Sequence, residues 1–303
     1  MQHLIDYNQR KAESYGWTPE WFGCSYFDSE LIDAIKQFQS ENGLVADGMC
    51  GSGTFRHLFT EREQEREYHG ITDNDTVQTI ICNEKHIEIF WDKVITWNER
   101  GGQQASTGHY SPYVDINRFR KPQFFVTHWD VCLSSASCFR VLEQRKISVH
   151  FGIDNDGTIY QWLDVKDVAF HAGGRSWNHA SVGVEISNAY NLKWQKWYRK
   201  HGFGERPIIE DAKCHGKTLS PFLGFYDVQL NALSALWEAV SWACDIPLEL
   251  PSTTGTTDPQ CVSNEFKGFC NHYHLKRSKI DCAGLDDELI LEKAKELRQK
   301  REQ

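Results

Sequence analysis

Residues 148–162 read SVHFGIDNDGTIYQW, two short runs of β-branched and aromatic residues on either side of Asp154-Asn155-Asp156-Gly157. The DNDG tetrad holds the residue types that tolerate turn conformations. The segment therefore predicts a β-hairpin of 149–153 against 158–162. Upstream, Phe124-Phe125-Val126 is a short apolar run ending at Thr127-His128-Trp129-Asp130, as expected of a buried strand. Downstream, 182–186 is another strand candidate, and 77–81 and 86–90 add two more. Residues 101–113 read as a polar loop. Leu230, Leu233, Leu236, Trp237 and Val240 fall at helical spacing within 228–243, and 285–303 reads as a charged amphipathic helix. Strands interleaved with helices predict an α/β domain with a mixed central sheet flanked by helices.

The first sixty residues have a different texture and predict a small all-helical unit. Asp28 is placed to cap a helix whose Leu31, Ile35 and Phe38 lie at i, i+4 and i+7, with Ala34 in the same stripe. Gly43 is placed to end it, Asp47-Gly48 makes a turn, and Thr54 opens a second helix through Phe55 and Leu58. Residues 61–67 are dense in mixed charge without an apolar face and read as a solvated helix end or linker. The expected organisation is a helical unit at 1–62, a linker and extension at 63–120, and the larger domain at 121–303. An insertion at about 190–227 carries Trp194, Trp197, Tyr198 and Phe203 among many charges.

Of 303 residues, 40% are hydrophobic and 25% charged, enough apolar material for a real core and too much for a disordered chain. The net charge of −9 argues against a fold-wide grip on nucleic acid. No run approaches the ~18–20 apolar residues of a membrane span. The opening MQHLIDYNQRKAESYGW has no apolar core of a secretory signal. Ten scattered cysteines without a CxxC pair read as reduced thiols, and a monomer is expected.

His128 follows an apolar strand directly, and Asp281 lies nine residues after His272 in the His272-Tyr273-His274 run. Two imidazoles and a carboxylate suit a catalytic zinc, since three protein ligands leave the fourth position for water. Spacing alone is weak support, and an ordinary strand end and a polar loop fit it better.

The runs FFVTHWD, SVHFGIDNDGTIYQW, VAFHAG, NHASVGVEISN and NHYHLKRSKIDCAG occur in this order. Together they resemble the N-acetylmuramoyl-L-alanine amidase type 2 family, over roughly 120–190 and 228–288. This is the zinc fold of phage lysozyme-like amidases, muropeptide amidases and peptidoglycan recognition proteins. The resemblance implies one Zn2+ per chain, held by His128, His272 and Asp281. The family usually has proline where this chain has Cys282. Glu185 matches the acidic residue that activates or positions the water, and Lys279 the lysine that stabilises the oxyanion. His171 is assigned to the substrate groove, with Asn178 and then Ser181 as weaker candidates. His274 is a neighbour of the site and His150 a structural residue. Residues 32–58, IDAIKQFQSENGLVADGMCGSGTFRHL, resemble the helical peptidoglycan-binding domain family. The match rests on Ala34, Phe38, Gln39, Gly43, Leu44, Asp47, Gly48, Gly51 and Thr54.

Together the two resemblances imply a cell-wall hydrolase whose partner is bacterial peptidoglycan. It would cleave between N-acetylmuramic acid and the L-alanine of the stem peptide. The layout is that of a phage endolysin held in the host cytoplasm until a holin opens the membrane. Two alternatives share the fold. One is a cytosolic muropeptide-recycling amidase, and the other is a non-catalytic recognition protein, a class that typically lacks the third zinc ligand.

Overall fold

Phe124–Trp129 is buried at every position, which places it in the interior of a sheet covered on both faces. The computed structural model describes residues 1–68, 77–113 and 120–303. The parts of the expected 63–120 extension at 69–76 and 114–119 lie outside the described residues. The main sheet has six strands, numbered here in chain order: β1 Val94–Thr96, β2 Phe124–Trp129, β3 Phe151–Ile153, β4 Ile159–Gln161, β5 Ser181–Ile186 and β6 Gly268–Asn271. Their spatial order is β6-β2-β5-β3-β4-β1. The first four of these run parallel, β3 and β4 form the expected antiparallel hairpin, and β1 joins β4 in parallel. The sheet is mixed, as the sequence implies.

Alternation along the strands sorts the side chains by face. Phe125, Trp129, Val182, Val184, Ile186 and Phe269 share one hydrophobic cluster, whereas Phe124, Val126 and Cys270 belong to another. His128 and Glu185 are direct partners in the β2–β5 register and fall on the second face.

The longer helices, also numbered in chain order, are α1 Gln2–Tyr15, α2 Ser29–Glu41, α3 Ser52–Glu63, α4 Ser135–Gln144, α5 Asp227–Cys244 and α6 Asp287–Arg301. The first face is covered by α5 and α6, through Leu233, Leu236, Trp237 and Val240 with Ile290 and Ala294. Arg298 and Arg301 of α6 both bond to the fully buried carboxylate of Glu238 on α5.

Around Phe124, Val126 and Cys270 the second face is covered by Ala172, Ala180, Cys261, Phe266 and Leu275, and toward β3 and β4 by α4 and the N-terminal unit. Asp28 caps α2 by accepting from the Leu31 amide, and Gly43 takes the left-handed conformation just past its end. Gly48, with φ of 77°, has no room for a side chain, since a Cβ there would lie 2.9 Å from Ile32. Gln39 holds this turn, receiving the Gly48 amide and donating to Asp47 at 2.8 Å. The third helix starts at Ser52, two residues before the Thr54 expected from sequence, because Gly51 caps it without a side chain. The Thr54 hydroxyl instead links Gln39 to the Met49 carbonyl.

Trp17, Leu31, Ile35, Phe55, Leu58 and Phe59 pack in one cluster with Cys132, Cys138, Val141, Leu142 and Trp162 of the larger domain. A fully buried side chain of this size contributes roughly 1.5–3 kcal/mol. The two units thus share a core. Residues 61–67, expected as a solvated helix end or linker, hold the end of α3 and four exposed charges, and in part meet this junction. Glu63 is buried and accepts from Arg140, Glu61 pairs with Lys193, and the Trp197 indole donates to the Gln64 carbonyl at 3.1 Å. Arg62, Glu65, Arg66 and Glu67 remain exposed, and it is Glu61, Glu63 and Gln64 of this stretch that meet the other domain.

Residues 190–227 make contacts on two sides. Lys193 and Trp197 meet the N-terminal unit, while His215 donates to the Lys279 carbonyl at 2.7 Å and supports the loop leading to Asp281. Arg206 fastens this segment to the sheet. Its buried guanidinium donates to the carbonyls of Ser187 and Gly224 and lies against the rings of Tyr198 and Tyr226. His150 accepts the Gly183 amide, and burial beside Arg120 pushes its pKa down to about 3.

Candidate metal centre

The C-terminal ends of β6, β2 and β5 lie side by side, where ligands gather in parallel sheets. Chain geometry then brings three donors together. His128 is the penultimate residue of β2. The sixth strand runs straight into a short helix, His272–Leu275, which places His272 at the sheet edge. The loop returns so that the Tyr273 amide bonds to the Asp281 carbonyl at 3.0 Å, which sets Asp281 beside both rings.

His128 Nδ1 lies 2.9 Å from His272 Nδ1 and 3.1 Å from Asp281 Oδ2, and the last two are 3.0 Å apart. Two neutral imidazoles and a carboxylate hold too few protons to bridge all three sides of such a triangle by hydrogen bonds. A metal ion satisfies all three lone pairs at once. A tetrahedral ion with bonds of about 2.0–2.1 Å sets its ligands roughly 3.3–3.4 Å apart, so small outward shifts suffice. The donor set fits the ion.

Electrostatics agree. Burial pushes His272 down to about 4, against the opposing pull of Asp281, so the ring is neutral with a lone pair to offer near pH 7. Burial alone would raise the Asp281 carboxyl. The neighbouring His272 and His128 rings and Lys279 more than reverse this and hold it well below the usual range. Burial likewise lowers Lys279, with Asp281 opposing and Arg56 and Arg145 reinforcing the shift.

The tautomer of His128 follows from its neighbours. Ser181 donates its hydroxyl proton to the Trp177 carbonyl at 2.6 Å, so its oxygen receives from His171 Nε2 at 3.2 Å. His171 Nδ1 is then an acceptor and takes the proton of His128 Nε2 at 3.0 Å. This leaves the His128 Nδ1 lone pair facing the other two donors. Gly183 makes room for the arrangement, since a Cβ there would lie 2.6 Å from His171 Nδ1.

His128, His171, Glu185, His272, Lys279 and Asp281 therefore border one cavity of about 150 Å³. Asn178 does not line it. Its side-chain oxygen accepts the amides of His171 and Ala172, and it borders a separate cavity with Phe170 and Arg175. His274 stays apart, accepting the Asn271 amide and donating to the Thr253 carbonyl. Arg56 and Arg145 also border the small cavity and were not singled out from sequence. Neither sits in a motif that marks a charged group aimed at the site. Asp130, Cys132 and Cys138 form a second compact group, but the Asp130 carboxylate already accepts from two amides and the Ser187 hydroxyl. Little of it remains for an ion.

Residues 118–261 match the N-acetylmuramoyl-L-alanine amidase family, and residues 14–58 match the putative peptidoglycan binding domain. The chain carries an N-acetylmuramoyl-L-alanine amidase domain. The amidase match takes in His128, His171 and Glu185 and stops before His272, Lys279 and Asp281, which the sixth strand and the loop after it bring back to the site. No curated protein matches the sequence significantly. Similar solved structures include AmpD, at 18% identity and TM-score 0.36 over 64% of this chain and 93% of that one. A mutant endolysin from Bacillus subtilis has 18% identity and TM-score 0.35 over 61% and 87%. The AmiA hydrolase of Staphylococcus aureus, solved with its ligand, has 12% identity and TM-score 0.41 over 69% and 84%. Among the described residues, no helix is long and apolar enough to cross a membrane.

Proposed function

We propose that this protein hydrolyses the amide between N-acetylmuramic acid and the L-alanine of the peptidoglycan stem peptide, with one zinc ion held by His128, His272 and Asp281. The observation that carries the reading is the triangle of donor atoms 2.9–3.1 Å apart beside Glu185, in an amidase domain joined to a peptidoglycan-binding unit. Zinc, when bound, polarises the scissile carbonyl and acidifies a water.

Glu185 takes the proton of the attacking water and returns it to the departing amine. The Lys279 ammonium offsets the negative charge that gathers on the carbonyl oxygen. His171's ring nitrogens and Asn178's carbonyl oxygen are bonded within the protein, so here these residues shape the groove and hold His128. A wall-binding unit joined to such an amidase fits a phage endolysin that reaches the wall from the host cytoplasm through a holin lesion.

Purified sacculi supply the test. The expected result is release of new L-alanine amino termini with no new reducing sugar ends, lost on chelation and restored by zinc. New reducing ends without amino termini would instead identify a glycosidase. Binding to sacculi without any release, with zinc added back, would leave a recognition protein.

The role of His171 gives a separate expectation. His171→Ala removes the acceptor for His128 Nε2–H and should weaken zinc binding by about 10–100-fold, read by chelator competition. Unchanged affinity would refute the tautomer argument.

A further inference from the structure

Arg56 belongs to α3 of the N-terminal unit, yet its guanidinium reaches the cavity shared by His128, Glu185 and Asp281. Its Nη2 donates to Glu185 Oε1 at 2.7 Å, and its Nη1 donates to the Asp130 carbonyl at 2.9 Å while lying 3.4 Å from Glu185 Oε2. The side chains are only 13% and 5% exposed, so water competes little for this charge-assisted bond. The helix presents a polar stripe to the larger domain at i, i+4 and i+7. Below Arg56, Thr60 donates to the Val131 carbonyl at 2.7 Å, and Glu63 receives Arg140 at 3.0 Å. Arg56 is therefore held at its base by a docked helix and at its head by two acceptors from adjacent strand ends.

We propose that Arg56 is a positioning residue of the hydrolytic site, supplied by the peptidoglycan-binding unit. It fixes the Glu185 carboxylate through Oε1 and leaves Oε2, the less engaged oxygen, to exchange protons with water. The inference rests on the reading of Glu185 given above. It makes the N-terminal unit a structural part of the active site as well as a wall anchor. A carboxylate lacking this partner is free to change rotamer, and misplacement by about 1 Å can cost on the order of 10²-fold in rate.

The test uses full-length protein and a soluble muropeptide, which needs no wall anchoring, with bound metal measured in every variant. Arg56→Ala should lower kcat by about 10–100-fold, leave KM within about twofold and keep the metal. Arg56→Lys, which retains the charge without the fork, should recover part of the loss. On a Glu185→Gln background, Arg56→Ala should cost nothing further. Thr60→Val removes a contact of the same helix face away from Glu185 and should keep wild-type kcat.

Wild-type kcat in Arg56→Ala would overturn the proposal, and so would an increase, which would make the contact a latch. An undiminished further loss on the Glu185→Gln background would do the same, as would an equal loss in Thr60→Val. Should Arg56→Ala fail to fold, Arg56→Lys carries the test, because full kcat there would remove the need for the fork. Wild-type turnover in Glu185→Gln alone would strike the reading of Glu185 itself, a different failure from any of these.

Discussion

Glu185→Gln is expected to lower kcat on a soluble muropeptide by about 10²–10⁴-fold, the usual contribution of a positioned general base. The substitution keeps the shape of the side chain and an oxygen to receive Arg56, but a carboxamide cannot take a proton from water. Metal content should be unchanged, because Glu185 is not one of the three converging donors. KM should also hold, since the loss falls on the step that moves the proton. A stability cost accompanies the kinetic one. Arg56 keeps an acceptor but loses its charged partner in a largely buried setting, and exchanging a charged acceptor for a neutral one costs about 1 kcal/mol. Thermal unfolding should shift downwards by a few degrees, and kinetics should be read well below that transition. Turnover within about threefold of wild type would remove Glu185 from the proton-transfer role.

The division between what sequence reveals here and what it hides follows the range of the interactions. The DNDG turn and the runs around it are local, and they appear as the expected hairpin of β3 and β4. The capped second helix and the Asp47-Gly48 turn are local too, and Gln39 closes them within the same short stretch. His128 stands out because it ends an apolar run. His272 and Asp281 suit a zinc together with it by residue type, but 144 and 153 residues separate them from His128, so only the family resemblance favours the set over an ordinary loop.

Arg56 shows why the rest was hidden. The third helix advertises Phe55 and Leu58 as its own core, and an arginine between them reads as a solvated charge. Its partner lies 129 residues away on a strand of another domain. Nothing in either segment encodes the docking that joins them. The same holds for Glu61, Glu63 and Gln64, which read as exposed until Lys193, Arg140 and Trp197 are seen across the junction. Arg206 is hidden likewise, because an arginine inside a charge-rich segment gives no sign that carbonyls and two tyrosine rings will enclose it.

Asp281→Ala is expected to abolish stable metal binding, and activity with it. The three donors stand within about 3 Å of one another, and only Asp281 brings a negative charge to a divalent ion. Two neutral imidazoles remain after the substitution, and the loss in affinity should exceed the roughly 10–100-fold that follows removal of an outer partner. Dialysed Asp281→Ala should hold less than about a tenth of an equivalent of zinc, against about one in the wild type. Asp281→Cys separates loss of a ligand from loss of a shape, because zinc accepts thiolate as readily as carboxylate and the cysteine variant should keep its metal. Stability gives an independent readout. A ligand that binds only the folded state adds RT ln(1 + [L]/Kd), so zinc should raise the melting temperature of the wild type and of Asp281→Cys. The melting temperature of Asp281→Ala should not respond. Stoichiometric zinc in dialysed Asp281→Ala would mean that the ion is held elsewhere, and the assignment of His128, His272 and Asp281 as its ligands would fall.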